Sequence, residues 1–164
     1  FLSYKYFDDS QNLVKDVYSF DDFNSSYARS LANGHSVALH IRRGDYLEID
    51  YLQNICSMSY YETAIKYLRK HLPNAVFFVF SDDPNWCRQT FCDKSFIIVD
   101  ENRGMDSWKD MALMSRCKHF IVANSTFSWW AAILNKNSNI IVSPNKWNNQ
   151  ISYDDFLPKS WIKI

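Results

Sequence analysis

Three short stretches of the chain carry side chains able to hold a charged ligand. They are His40-Ile41-Arg42-Arg43-Gly44-Asp45-Tyr46, Ser81-Asp82-Asp83-Pro84 and Asn124-Ser125-Thr126-Phe127-Ser128-Trp129-Trp130. Adjacent arginines can clamp phosphate oxygens through fork-shaped, charge-assisted hydrogen bonds. Ser125 and Thr126, ahead of an apolar helical run, supply hydroxyls, open backbone N–H groups and the positive end of a helix dipole. A carboxylate such as Asp82 can accept two parallel bonds from N1–H and the exocyclic amine of guanine, a donor face that adenine lacks. Together these groups describe a nucleoside-diphosphate site. Each also has a plainer reading. Arg42 and Arg43 suit ion pairs with Asp45 and Glu48, and His40 sits inside an apolar run as core histidines do. Asp82-Asp83 before Pro84 suits a helix cap, Ser125 suits another, and Trp129-Trp130 at a helix start suits a core.

Such a site lacks a glycine loop. The chain has 164 residues and 3 Gly, at 34, 44 and 104, too far apart for either G-x-G-x-x-G or a P-loop. Gly44 is the one expected to work in the site, by letting the chain turn after the arginine pair. Lys and Arg total 18 against 18 Asp and Glu, which removes the electrostatic attraction that most nucleic-acid and anionic-membrane binders use, so no nucleic-acid partner is expected. The 4 Cys stand singly, without zinc or C-x-x-C spacing, as reduced thiols of a cytosolic protein do. No run reaches the ~18 apolar residues of a membrane span, and no signal peptide is visible. Arg43-Gly44-Asp45 also spells an adhesion tripeptide, but the apolar strand beside it argues against an exposed loop.

The elements that must position these residues alternate. Apolar runs at 37–41, 76–80, 96–99, 120–123 and 140–142 read as buried strands. Between them, helices are expected over 60–71, opened by a Ser59-x-x-Glu62 capping box, and over 85–91, after an Asp-Pro start. Two more are expected from Asp106 or Ser107 to Arg116, and over 127–134 behind a Ser125 or Thr126 cap. Strand–helix alternation with such short apolar runs predicts an α/β fold: a Rossmann-like, doubly wound parallel sheet of about five strands. Ligands of such sheets sit outside the carboxyl ends of the strands, where all three stretches fall. Residues 1–34 read as a lead-in with helices at 11–17 and roughly 23–31, and residues 35–164 as the ligand-binding domain. A start at Phe1, with mid-domain character in the residues after it, suggests that an upstream region is missing.

Three motifs together, H-I-R-R-G-D-Y (40–46), F-S-D-D-P-x-W (80–86) and D-M-A-L-M-S-R-C-K-H-F-I-V-A-N-S-T-F-S-W-W-A-A (110–132), closely resemble the bacterial α-1,2-fucosyltransferases of glycosyltransferase family 11. The resemblance runs from about Tyr4 to the C-terminus. It implies an inverting, metal-independent transfer of L-fucose from GDP-fucose to the 2-hydroxyl of a galactoside in a glycan acceptor. It also implies a GT-B-type enzyme whose C-terminal half binds the donor, this chain being that half plus the segment leading into it. Carried onto these residues, it puts Arg42 on the β-phosphate, His40 and Asp82 toward guanine or ribose, and Ser125, Thr126 and the Phe127 backbone on the diphosphate, with Arg43 beside them. Asp45 is the carboxylate assigned to catalysis with Arg42; among Asp45, Glu48 and Asp50 the choice of general base stays open. Asp82-Asp83 lacks the D-x-D spacing by which other glycosyltransferases hold a metal. A bacterial cytoplasmic location is implied, peripheral to the inner membrane only through a lipid-linked acceptor. The 6 Trp and 10 Tyr suggest the alternative, a non-catalytic carbohydrate-binding module.

Overall fold

A computed structural model describes residues 3–6, 8–18, 20, 26–31, 34–150 and 156–164. Among the described residues, six parallel strands form one sheet: β1 (Ser36–Ile41), β2 (Val76–Ser81), β3 (Phe96–Val99), β4 (His119–Ile121), β5 (Ile140–Ser143) and β6 (Ile162–Lys163). They lie in the order β3-β2-β1-β4-β5-β6, which is the Rossmann order. The chain runs outward from β1 in one direction, then returns to β1's other side. The crevice between β1 and β4 is therefore the switch point at which such sheets bind ligands. The sheet has one strand more than expected: β6 spans two residues beside Val142 and Ser143, too short to show any pattern in sequence.

Period-two alternation sorts the strand residues onto two cores. Val37, Leu39 and Ile41 of β1 join Phe77 and Val79 of β2 on one face, under α3 (Met58–His71) and α4 (Pro84–Thr90). Ala38 joins Phe78, Phe80, Val99 and Phe120 on the other, under α5 (Ser107–Met114) and α6 (Thr126–Leu134). Both faces are covered, which is why the strands are apolar throughout. Trp129 of α6 is fully buried, its Nε1 donating to the Phe156 carbonyl at 3.3 Å, so it belongs to the core and is no sugar platform.

Local signals set the helix starts. Asp83 caps α4, accepting from the Trp86 N–H at 3.1 Å with Pro84 in the first turn. Ser125 caps α6, accepting from the Phe127 N–H at 3.3 Å. The cap of α3 is Ser57, not Ser59 as expected: Ser57 Oγ accepts from the Tyr60 N–H, while the Ser59 carbonyl, already inside the helix, accepts from Thr63 Oγ1. The helix thus starts two residues earlier than the capping-box pattern indicates. α5 stops at Met114, short of Arg116. Upstream, α1 (Gln11–Val17) stands as expected. The second lead-in helix is the short α2 (Ala28–Leu31), and residues 23–25 of its expected span lie outside the described residues. Leu31 is fully buried in the α5–α6 core. Among the described residues no helix is long and apolar enough to cross a membrane.

Candidate active site

The carboxyl ends of β1–β4 surround a cavity of about 540 Å³ on the α5–α6 side of the sheet. It collects His40, Arg42, Asp45, Asp82, Ser125, Thr126 and Phe127, seven of the eight residues singled out in the sequence. The eighth, Arg43, faces the other way. It lines a smaller cavity of about 230 Å³ on the α3–α4 side, with its guanidinium 3.9 Å above the Trp86 ring and 3.2 Å from Asp83 Oδ2. The alternation that puts His40 on one face and Ile41 on the other continues past the end of β1, so the arginines part company instead of clamping one ligand.

Register explains the partners. In the β1–β2 pairing His40 lies level with Phe80 and Ile41 with Ser81, so the next levels set Arg42 beside Asp82 and Arg43 beside Asp83. Arg42 Nη1 lies 3.1 Å from Asp82 Oδ2, and Nη2 donates to Asp45 Oδ1 at 2.6 Å. The other Asp82 oxygen, Oδ1, accepts from the Arg43 backbone N–H at 2.9 Å. Gly44 serves this contact: a Cβ there would come within 2.5 Å of Asp82 Oδ2. Its φ is ordinary, so the glycine is required for close approach and not, as expected, for a special turn. Tyr46 lies across the same loop, its ring centroid 5.2 Å from the Arg42 guanidinium carbon.

His40 is 5 % exposed, its ring 5.7 Å from that of Phe127, and its Nδ1 has no partner among the described residues. Burial first, then the Arg42 charge, push its pKa down to about 3, so the ring is neutral at working pH. Opposite it, the N-terminus of α6 presents Thr126 and Phe127 to the cavity. The β4–α6 turn is fixed by Asn124, 3 % exposed, whose amide donates to the Leu52 and Trp147 carbonyls, both at 3.4 Å.

Asp110 is the site residue that sequence reasoning missed. It projects from α5 into the cavity and accepts from Asn102 Nδ2 at 2.7 Å. Burial, followed by repulsion from Asp100 and Glu101, raises its pKa to about 6 despite the Asn102 bond. The sign was available: a carboxylate opening the 110–132 motif, in a helix otherwise read only for apolar packing. Asp100, between Arg88 at 2.6 Å and Arg103 at 2.6 Å, is instead held below the usual carboxylate range by those partners, Arg88 foremost.

A mixed cationic and acidic cavity at a Rossmann switch point, with a helix N-terminus on its rim, is suited to a nucleotide-linked ligand. The family model described as glycosyl transferase family 11 matches residues 18–164. The chain belongs to glycosyltransferase family 11. Among relatives, the O-antigen biosynthesis glycosyltransferase WbnK of Escherichia coli is 39% identical over 137 residues, covering 80% of this chain and 45% of WbnK. An alpha-1,2-colitosyltransferase of Escherichia coli is 39% identical over 139 residues, covering 79% of this chain and 48% of that enzyme. A galactoside alpha-(1,2)-fucosyltransferase 1 from Leontocebus fuscicollis is 33% identical over 103 residues, covering 60% of this chain and 28% of that one. This family 11 chain therefore spans about half the length of the two bacterial relatives, at 45% and 48%.

Proposed function

We propose that this chain is the donor-binding portion of an inverting family 11 glycosyltransferase that moves L-fucose from GDP-fucose to a galactoside 2-hydroxyl of a glycan. The observation that carries the reading is Arg42 facing the N-terminus of α6 across one cavity, with neutral His40 between them. In this reading Arg42, Ser125, Thr126 and the Phe127 N–H hold the diphosphate, and His40 meets the nucleoside. Asp110, a carboxylate fixed by Asn102, faces N1–H and the exocyclic amine of guanine. Residues 1–34 lead in from an upstream portion that contributes to the acceptor side.

During transfer the bond between the sugar C1 and the β-phosphate oxygen breaks, leaving an oxocarbenium-like sugar and negative charge on departing GDP. A fixed guanidinium and a helix N-terminus stabilise that charge where it develops; losing such a donor costs about 10²–10³ in rate. The acceptor oxygen bonds to C1 from the opposite face, and its proton passes to a carboxylate. Asp45 is the carboxylate offered for that role once the arriving diphosphate has taken its place on Arg42 and freed its side chain, which is 55% exposed. The colitosyltransferase relative makes the sugar the feature to test, since colitose is fucose without its 3-hydroxyl. The carbohydrate-binding-module alternative loses ground because Trp129, Trp147 and Trp161 are buried.

The experiment is calorimetric binding of GDP, ADP and UDP to this chain, followed by transfer assays with GDP-fucose and GDP-colitose on β-galactosides, the upstream portion restored. GDP is expected to bind more tightly than ADP or UDP, and GDP-fucose to be the better donor. Equal binding of the three nucleotides refutes the guanine assignment, and preference for GDP-colitose reassigns the sugar.

A further inference from the structure

Asp82, which in sequence looks like a base-reading carboxylate, lines the cavity with both oxygens already engaged. Both of its oxygens are engaged by the β1 loop: Oδ1 by the Arg43 N–H at 2.9 Å and Oδ2 by Arg42 Nη1 at 3.1 Å. The Arg42 guanidinium is thus held by two carboxylates of unequal character. The Asp82 side chain is 23% exposed and tied to backbone, whereas that of Asp45 is 55% exposed. A diphosphate arriving at Arg42 competes with the solvent-exposed partner first, because the Asp45 side chain can swing into water at little cost. Asp82 leaves only by also giving up its bond to the Arg43 N–H. A Cβ at position 44 would come within 2.5 Å of Asp82 Oδ2, so a side chain there has to displace the carboxylate.

We propose that Asp82 is a positioning residue: a strut that, through the space kept clear by Gly44, aims the Arg42 guanidinium at the diphosphate while Asp45 is exchanged for it. This rests on the donor-binding reading above and adds to it a role for Asp82 that excludes guanine recognition. Two consequences separate the strut from a base reader. Removing the strut weakens every nucleoside diphosphate by the same factor and leaves the preference for guanine intact. Filling the space at 44 has the same effect as removing Asp82, and adds nothing once Asp82 is gone.

The test is calorimetric titration of the chain with GDP and ADP, using the wild type, Asp82→Ala, Asp82→Asn, Gly44→Ala and the Gly44→Ala/Asp82→Ala double variant, with melting curves as the folding control. Asp82→Ala is expected to weaken GDP and ADP alike, by about tenfold, the scale of one charge-assisted hydrogen bond. Asp82→Asn should lose as much, since its amide can still accept from the Arg43 N–H but carries no charge for Arg42. Gly44→Ala should match it, and the double variant should be no worse than Asp82→Ala alone. Collapse of the GDP-over-ADP preference in Asp82→Ala returns Asp82 to the base and overturns the proposal. Unchanged GDP affinity in Asp82→Ala and Asp82→Asn overturns it too, as do losses that multiply in the double variant. If Gly44→Ala fails to fold, the two Asp82 variants decide alone. Wild type that binds no GDP refutes the functional reading itself, and the strut with it; wild type that binds GDP with indifferent Asp82 variants refutes only the strut.

Discussion

On the proposed reading, Asp110 makes donor binding a function of pH in a direction that follows from its surroundings. Its pKa stands at about 6, against an ordinary 3.8, because burial and the neighbouring Asp100 and Glu101 disfavour the charge. Guanine offers two donors, N1–H and an exocyclic N–H, and only the ionised carboxylate accepts both. Binding therefore selects the deprotonated form, and below pH 6 each binding event must first release a proton. The competent fraction is about nine-tenths at pH 7 and about one-tenth at pH 5, so the apparent affinity falls about tenfold across that window. Apo stability moves the opposite way. A carboxyl whose folded pKa exceeds its unfolded one stabilises the protein as pH falls from about 6 toward 3.8, and that contribution is lost as pH rises. Free GDP is a poor probe, since its terminal phosphate itself titrates at about pH 6. GDP-fucose, whose diphosphate is esterified at both ends, has no such group. His40, pushed down to about 3, stays neutral throughout and adds no slope. The assay is calorimetric titration with GDP-fucose at pH 5, 6 and 7 in buffers of different ionisation enthalpy, which reads proton release directly. Wild type should release up to one proton below pH 6 and lose about tenfold in affinity by pH 5. Asp110→Asn should bind weakly at every pH, with a flat profile and little preference for guanine over adenine. A flat wild-type profile, or the same slope in Asp110→Asn, refutes the assignment.

The two arginines should separate cleanly in a transfer assay with the upstream portion restored. Arg42→Ala is expected to lose about 10²–10³ in rate, whereas Arg43→Ala, whose side chain faces Trp86, should stay within a few-fold of wild type. Ser125→Ala removes the cap of α6 and should cost about 1 kcal/mol of stability by chemical denaturation, with weaker GDP binding in calorimetry as the helix start loosens. Tyr60→Phe removes a buried hydroxyl that donates to the Val122 carbonyl at 2.6 Å; it should cost about 1 kcal/mol, lower the melting temperature by roughly 2–4 °C, and leave nucleotide affinity unchanged.

The fold was legible wherever burial on both faces writes itself as an unbroken apolar run. Val37–Ile41, Val76–Phe80 and Phe96–Val99 are such runs, and the structure keeps them within a residue of their expected bounds. Legibility failed where the deciding partner lies elsewhere in the chain. β6 exists because Ile162 and Lys163 meet Val142 and Ser143, and two residues carry no period of their own. Ser57 and Ser59 are equally good hydroxyls for starting a helix, and only the backbone path into α3 decides between them. Asp110 was hidden differently. In sequence it is a carboxylate in the first turn of a helix, where the dipole alone would explain it, and only the fold shows that its side of α5 borders the cavity.

The Arg-Arg and Asp-Asp doublets are the most instructive case, because strand geometry and residue order alone dictate their arrangement. Two parallel neighbouring strands that end in register bring the residues just beyond them to the same level, and alternation sends successive side chains to opposite faces. Arg42-Arg43 beyond β1 and Asp82-Asp83 beyond β2 must then form two cross-strand pairs pointing apart, Arg42 with Asp82 and Arg43 with Asp83, as observed at 3.1 and 3.2 Å. Reading Arg42-Arg43 as one clamp sets aside that neighbours in an extended chain rarely share a face. One pair borders the large cavity, where its arginine is available to an anion. The other stacks on Trp86 and caps α4, anchoring the loop from the opposite side of the sheet. On the proposed reading the Arg42 guanidinium stabilises charge at one point and must be held there, since a mobile cation spends part of its interaction energy on its own reorganisation. On that reading Asp82 aims Arg42, and the Arg43–Asp83 pair secures only the far side of the loop, which is why Arg43→Ala is expected to be mild.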